Sequence, residues 1–524
     1  MLLPWRKRRP KIQEVIITDK NKDISEPKGL REFLERAVSE FDNLPHVKFM
    51  ETAERYYSNE NDIKDKKRMV IGKDIENNAI LKESKVLANN KLHHNFMKKL
   101  TRQKIAYMLG KPFTMTAMKA DDDHVKEFFS ACEPYLDMRF YQFIKNVGRD
   151  SIVKGIGWVQ VYYDDEGNLK FRRCEPEEVI PFWNDNDHTE LGAVARRYEI
   201  EEYTDSIKKI VKHLEFYDPS GVYYYIYDDS GHLVPDPTVN QMPMPNFALR
   251  GTEDKVTPVN WNHIPFIPFK YDADEQSLLK RIKSLIDDYD SKTSEVSDSI
   301  EDNPNATMVI KNYDGASKEE FVQNKNEYRT IFVQGDGDAK SLTTPLALAD
   351  LNVHLERLRQ DIYEFGQGVN TADKDIRDTS GVALRFIYAD LDMDCTDWGS
   401  EVKFSLMQLF WFIQQDILYK TGKDYTDCKY DIVFNTDVII NETETITNCM
   451  NSQGIISKKT IAANHPWTLD EQKELEDMRQ EEEEELELQA DYTLGSNTPP
   501  EGNASNGSKT KSSSGEMNKE VEYA

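Results

Sequence analysis

The chain has 524 residues, 38% hydrophobic and 31% charged, too many for one small core and therefore expected to form two or more domains. Its 94 Asp and Glu against 67 Lys and Arg give a formal net charge of −27, the wrong sign for gripping nucleic acid through its phosphates. Five widely spaced cysteines without a C-x-x-C pair point to free thiols in a reducing cytoplasm rather than to structural zinc, and no run approaches the roughly 20 apolar residues of a membrane span.

The N-terminal "MLLPWRKRRP" places its apolar residues before its charges and is not followed by an apolar run, so it reads as a basic arm, partner-binding or simply solvated, and not as a signal peptide. Leu30, Phe33, Leu34, Ala37, Val38 and Phe41 recur at helical spacing, and a second helix follows Pro45. Residues 60–85 are polar and are expected to form an exposed loop. The stretch "NNKLHHNFMKKLTRQKIAYMLGKP" predicts a helix with Leu92, Phe96, Leu100, Ile105, Met108 and Leu109 on one side, Gly110 as a C′ glycine and Pro112 as a block. His93 and His94 are adjacent, so they point to different faces and make a poor metal pair. One further helix is expected over about 124–147.

Gly155 and Gly157 in "GIGWVQVYY" follow a helix and open a strand, the reverse of a dinucleotide fingerprint, and Gln160 stands where its third glycine belongs. "DDEG" predicts a hairpin turn, and turns at Pro219-Ser220-Gly221 and Asp229-Ser230-Gly231 predict a second meander.

From Asp274 to Asp302 one apolar stripe of Leu278, Leu279, Ile282, Leu285, Ile286, Tyr289, Val296 and Ile300 predicts a rod of about 43 Å. Pro304 ends it. Residues 305–346 read as a small insert: strand-like "TMVIKNY", helical "SKEEFVQNKNEY", strand-like "RTIFVQG" and the turn "DGDAK". A second amphipathic helix then carries Leu348, Leu351, Leu355, Leu358, Ile362 and Phe365 in the alternating three-four spacing of a packing seam. The two rods predict a helical hairpin with a small domain at its tip. After a loop, Thr379 or Ser380 is placed to cap a third rod of about 60 Å, with a bend near Gly399. One strand, a helical segment ending in the acidic run Glu481–Glu487, and a Ser/Gly/Asn/Lys-rich tail from about 492, expected to be disordered, complete the chain. Rods this long leave stripes that copies of the same chain can cover, and a repeated head-to-tail contact closes into a ring.

The loop "GQGVNTADKDIRD" has two glycines but neither a Lys-Ser/Thr pair nor a preceding strand, so a phosphate cradle is a poor reading. Asp121-Asp122-Asp123 and Asp185/Asp187 are the candidates for a metal-dependent nuclease. Without a paired His or Lys they read as turns. His354 in "HLERL" is no H-E-x-x-H site. No catalytic, cofactor or metal residue is assigned. The rivals to a channel-forming protein are a metal-dependent DNA-processing enzyme and a helical adaptor that forms no channel.

Four stretches, in order, carry a family resemblance: "NNKLHHNFMKKLTRQKIAYMLGKPFT", "GIGWVQVYYDDEGNLKFRRCEPEEVIPFWND", "FGQGVN…DTSGVALRFIYADLD" and "GIISKKTIAANHPWTLDEQKELEDMRQEEEE". Together they resemble the portal, or head-to-tail connector, proteins of tailed double-stranded DNA bacteriophages, of the long-tailed siphophage type. One departure follows Tyr56-Tyr57, where Ser58-Asn59 stands in place of an expected glycine. The resemblance implies an α+β, helix-rich portal fold: wing 1–273, stem helix 274–303, clip 304–346, second stem helix 347–366, tunnel loop 367–380, long wing helix and strand 381–441, crown 442–488 and tail 489–524. Stem packing falls to Leu278, Ile282, Leu285 and Tyr289 against Leu351, Leu355, Leu358 and Ile362. Gln367, Asn370, Asp373, Lys374, Asp375, Arg377 and Asp378 belong to the tunnel loop.

The family further implies a ring of about twelve subunits at one capsid vertex, assembled in the host bacterial cytoplasm. Double-stranded DNA passes through its channel, driven by the ATPase of the terminase large subunit. Major capsid and scaffolding proteins and a head-completion or tail adaptor are the other partners, and no membrane is involved.

Overall fold

A computed structural model describes residues 2–3, 23–24, 26–73, 79–85, 87–119, 122–204, 207–250, 256–302, 307–313, 317, 333–342, 348–372, 386–436, 442–468, 474–481 and 483. The chain divides into two compact units, Met1–Ile439 and Ile440–Ala524. In the first, two short strands, Leu2–Leu3 and Asp23–Ile24, precede helices α1 (Leu30–Asn43) and α2 (Pro45–Tyr57). Between residues 60 and 85 the expected loop is instead a one-turn 3-10 helix (Asp62–Asp65) and a hairpin of β1 (Met69–Lys73) and β2 (Ala79–Glu83). The glycine missing after Tyr57 is replaced by Asn59 at φ 66°, the left-handed geometry that Asn tolerates best after Gly.

Helix α3 (Phe96–Leu109) starts later than its apolar spacing predicts, because Asn95 caps it by accepting from the Lys98 N–H at 3.1 Å. Gly110 closes it in right-handed geometry (φ −59°), so no left-handed C′ cap forms. A short strand β3 (Thr114–Ala117) follows. The single helix expected over 124–147 is two, α4 (Asp123–Cys132) and α5 (Met138–Lys154), because Pro134 forces a 3-10 turn between them. Gly155 ends α5 at φ 90° and feeds β4 (Ile156–Tyr163), so these glycines turn a helix into a strand. The "DDEG" turn joins β4 to β5 (Leu169–Cys174). Next come β6 (Val179–Trp183), β7 (Leu191–Thr204), β8 (Ile207–Asp218), β9 (Gly221–Tyr227) and β10 (Leu233–Pro235), one antiparallel sheet in the order β10-β9-β8-β7-β6. β11 (Phe266–Lys270) returns to β4 and completes a second sheet, β11-β4-β5.

Helix α6 (Leu278–Asp302) and helix α7 (Leu348–Phe365) pack together as an antiparallel pair: Arg281 meets Gln367, and Asp288 meets His354 at 3.2 Å. Between them the described residues form β12 (Thr307–Tyr313) paired with β13 (Val333–Leu342). "DGDAK" is thus strand with a bulge rather than a turn, and the helical reading of "SKEEFVQNKNEY" falls, apart from Ser317, outside the described residues. Helix α8 (Ala389–Thr421) runs unbroken through Gly399, where a side chain would press on the Met108 sulfur. Thr379 and Ser380 lie outside the described residues. Helix α8 buries Trp398, Val402, Leu406, Leu409, Phe410 and Ile413 in the main core with Leu100, Val147, Phe269, Leu278 and Ile282. β14 (Tyr430–Val433) pairs with β3. The second unit holds α9 (Glu442–Asn451) and α10 (Lys458–Asn464). The tail from 484 onward, with most of the acidic run, is outside the described residues.

The apolar stripe of α6 ends at Tyr289. Beyond it the buried face is polar: Asp290, Ser294 and Asp298 are buried while Ile300 is exposed. These side chains receive the backbone of residues 88–94, which runs extended instead of helical. The N–H groups of His94, Leu92, Asn90 and Ala88 donate in turn to Asp290 (3.0 Å), Ser294 (2.9 Å), Asp298 (2.5 Å) and Asp302 (3.0 Å). The periods match: four helical residues rise about 6.0 Å and two extended residues advance about 6.6 Å. A segment with no sheet partner is thereby satisfied along one helix face. The Asp298→Ala variant should lose about 1–3 kcal/mol in urea unfolding, the cost of a buried donor left unpaired, and Asp298→Asn, which keeps an acceptor, clearly less. Equal midpoints for the wild type and the Ala variant would remove this role.

Candidate functional site

The start of the Gly-rich loop is held where α3, α6, α7 and α8 converge. Helix α7 ends at Phe365; Gly366 donates to the Ile362 carbonyl at 3.0 Å and Gly368 to that of Tyr363 at 2.9 Å, with Gln367 between them at φ 48°. A Cβ on Gly366 would sit 2.7 Å from the Leu100 Cδ1, and one on Gly368 2.2 Å from its Cδ2. The two glycines therefore serve close packing on α3. Gln103 continues the clamp, donating through Nε2 to the Val369 carbonyl (2.7 Å) and accepting from the Val369 N–H (3.3 Å). Val369 itself is buried with Tyr107, Leu391 and Cys395.

Beneath the clamp lies an ionic cluster built around the buried Lys104 and Asp394. The Lys104 ammonium, fully buried, donates to the Gln367 carbonyl at 2.9 Å and to Asp394 Oδ2 at 2.6 Å. Tyr271 donates to the same oxygen at 2.6 Å, and Arg281 donates to Asp394 Oδ1 at 2.8 Å, to Gln367 Oε1 at 2.7 Å and to Asp272 at 3.0 Å. Burial pushes the Asp394 carboxyl up, but Lys104, Tyr271 and Arg281 together outweigh it and hold it below the usual range. Burial holds the Lys104 ammonium below the ordinary lysine value, offset in part by Asp394. Burial also drives the Tyr271 phenol well up, so it stays protonated and able to donate to Asp394.

Of the residues assigned to the loop, Gln367 and Asn370 are in this assembly, Asn370 accepting from Arg359 at 3.3 Å. Asp373, Lys374, Asp375, Arg377 and Asp378 lie outside the described residues. On the helical pair Leu278, Ile282, Leu358 and Ile362 are buried; Leu285, Tyr289, Leu351 and Leu355 are half-buried. Phe96 sits edge-on to Tyr289 (5.3 Å) and Tyr363 (6.1 Å).

Sequence reasoning missed Gln103, Lys104, Tyr271, Arg281 and Asp394. The available signal was charge on apolar stripes: Lys104 falls on the buried side of α3 with Leu100 and Met108. Asp122 caps α4 by accepting from the Val125 N–H, and Asp185 accepts from Thr189 and Glu190 in a turn, which lowers its carboxyl to about 2. These candidate nuclease carboxylates are structural, and Asp121 lies outside the described residues.

Comparison with known proteins gives the class. Residues 42–488 match the family "Phage portal protein, SPP1 Gp6-like", which makes this a phage portal protein, a structural component of the virion that serves DNA packaging. The chain belongs to the SPP1 Gp6-like portal family. It is 28% identical over 480 residues to the portal protein of Bacillus phage SPP1, covering 90% of each chain. It is 26% identical over 448 residues to the portal protein of Clostridium phage phiCD119, covering 82% of this chain and 91% of that one. The family and its relatives agree with the expected α+β portal fold, and neither the enzyme nor the plain adaptor is favoured. Among the described residues no helix is long and apolar enough to cross a membrane.

Replacing Asp394 with Leu strands the Lys104 charge and should cost about 3–5 kcal/mol of stability. Adding Lys104→Met should recover much of that loss, and a double-mutant cycle should give a coupling energy of at least about 1 kcal/mol. Additive effects in chemical denaturation would show that the two groups do not act as a pair.

Proposed function

We propose that copies of this chain close into a ring of about twelve subunits around a channel at one capsid vertex. Through it a separate terminase ATPase packages double-stranded DNA, and through it the DNA later leaves. In this reading the chain performs no chemistry of its own. Residues 304–346 form the clip facing the motor and later the head-completion and tail proteins, residues 442–488 the crown, and 367–380 the loop lining the narrowest part. Assembly takes place in the bacterial cytoplasm together with major capsid and scaffolding proteins.

The observation that carries the ring is apolar surface left on the helical pair and beside it. Val353 is 71% and Phe365 55% exposed on α7, and the cross-strand pair Ile71 and Leu81 is 80% and 68% exposed on a hairpin of only two strands. An isolated hairpin of that kind is marginal in water. Sister chains repeating one head-to-tail contact cover both surfaces.

Charge supports the channel. Duplex DNA carries one negative charge per ~1.7 Å of axis, so a basic lumen binds it and resists sliding. A wall built from a chain of net charge −27 repels the duplex from all sides, and salt confines that repulsion to about 8–10 Å. Lys374 and Arg377 then supply brief phosphate contacts from the loop.

Negative-stain images of the purified protein should show rings with a central hole. A monomer by light scattering across physiological salt would defeat the proposal. Replacing both Lys374 and Arg377 with Glu should leave rings intact and alter DNA filling or retention; normal packaging by that double variant would end the loop's part in it.

A further inference from the structure

One side-chain cluster lies apart from the loop and the helical pair. It is built where α4 begins and where the chain turns from α8 into β14. Pairing of β3 with β14 (Ala117 opposite Tyr430) brings these distant segments together. His124 in the first turn of α4, Asp427 and Cys428 present an imidazole nitrogen, a carboxylate oxygen and a thiol sulfur, all within 4.8 Å of one another.

We propose that His124, Asp427 and Cys428 bind a divalent transition-metal ion of the zinc type, with water in the fourth position. The donor set of one nitrogen, one oxygen and one sulfur is what a borderline-soft tetrahedral ion takes. With bonds of about 2.0–2.3 Å, a tetrahedral ion separates its ligand atoms by about 3.3–3.6 Å. His124 Nε2 and Asp427 Oδ1 are 3.4 Å apart, beyond an ordinary hydrogen bond and equal to such an edge. The Cys428 sulfur lies within reach of both, since the His124 and Asp427 side chains are 45% and 81% exposed and can each move by an ångström toward it.

The surroundings preorganise the ligands. The His124 ring lies against the Tyr425 ring, centroids 5.0 Å apart, and Tyr425 is itself buried against Phe128. The turn that carries Cys428 is fixed by its N–H donating to the Tyr425 carbonyl at 3.1 Å, and by Asp424 accepting from the Thr426 N–H and hydroxyl at 2.9 and 2.7 Å. Lys423 pairs with Glu127 across the same junction. A reactive thiol is the other reading of Cys428, and its setting opposes that. Asp427, Asp122 and Asp424 surround it with negative charge, whereas reactive cysteines sit in electropositive surroundings. The same negative potential attracts a cation. Once bound, the ion ties the start of α4 to the turn after α8 and stabilises the folded chain by mass action.

The test uses full-length protein stripped with a chelator and titrated with Co2+. One equivalent per chain should give the absorption of a tetrahedral ion together with a thiolate-to-cobalt charge-transfer band, and Zn2+ should displace it. Cys428→Ser should abolish the charge-transfer band, while Cys449→Ser leaves it intact. His124→Gln and Asp427→Asn should each weaken Co2+ binding by at least about tenfold. Zn2+ should raise the unfolding temperature of the wild type and not that of the Asp427→Asn variant. That variant alters an exposed carboxylate, so it remains informative if Cys428→Ser fails to fold. Absence of the band in the wild type, its survival in Cys428→Ser, or unchanged affinity in both His124→Gln and Asp427→Asn would each overturn the site.

Discussion

A single buried carboxylate, Asp394, determines how the helices of this protein can meet. It accepts from Lys104 on α3, from Tyr271 at the end of a core strand and from Arg281 on α6, while Lys104 and Arg281 each reach on to Gln367. Desolvating these charges is expensive, and the cluster persists only because every member finds a partner. Such a cluster does little for net stability compared with an apolar plug of equal size. What it gives is register, since Arg281, Lys104 and Asp394 satisfy one another in one arrangement of three helices and one loop root. A slip of one helical turn, about 5.4 Å, would leave at least one charge buried and alone.

The same economy of register governs α6 over its whole length. Its first half is set against the core by Leu278, Ile282 and Ile286. Its second half carries Asp290, Ser294, Asp298 and Asp302 at intervals of four and binds an extended backbone segment, N–H by N–H. An apolar second half would accept a sliding partner, but discrete acceptors allow only steps of one full repeat. In the ring proposed above such indexing would keep the rod in register with its neighbours, because a small error at its base grows along its length.

Periodic signals were the legible part of the sequence. The rods of α6 and α7, the hairpins at "DDEG" and at Gly221 and Gly231, and the α+β class all follow from spacing and turn chemistry. Three kinds of feature escaped it. Helix boundaries moved where one residue outweighed the pattern: Asn95 capped α3 late, and Pro134 split one helix into two. The extended run 88–94 reads as helix because its partner is a helix face two hundred residues away, and no local period reports that. The ionic cluster escaped because Lys104, Arg281 and Asp394 are individually ordinary charges. Only the fold reveals that they meet, Lys104 and Asp394 away from water and Arg281 at the exposed edge. Gly366 and Gly368 follow the end of α7, and what packs against them is Leu100, a contact that no local pattern reports.

The fate of the basic residues gives the net charge its physical meaning. Lys154 is bonded to Glu175 and Glu177, Arg149 and Arg173 flank the buried Asp150, Arg197 holds Asp42, and Lys283 bridges Asp62 and Asp287. These cations are spent on internal contacts, so they cannot release counterions from a passing duplex, which is the main source of sequence-independent affinity for DNA. Cations paired in this way are unavailable to a polyanion, and a duplex passing through the ring proposed above would find fewer places to stop.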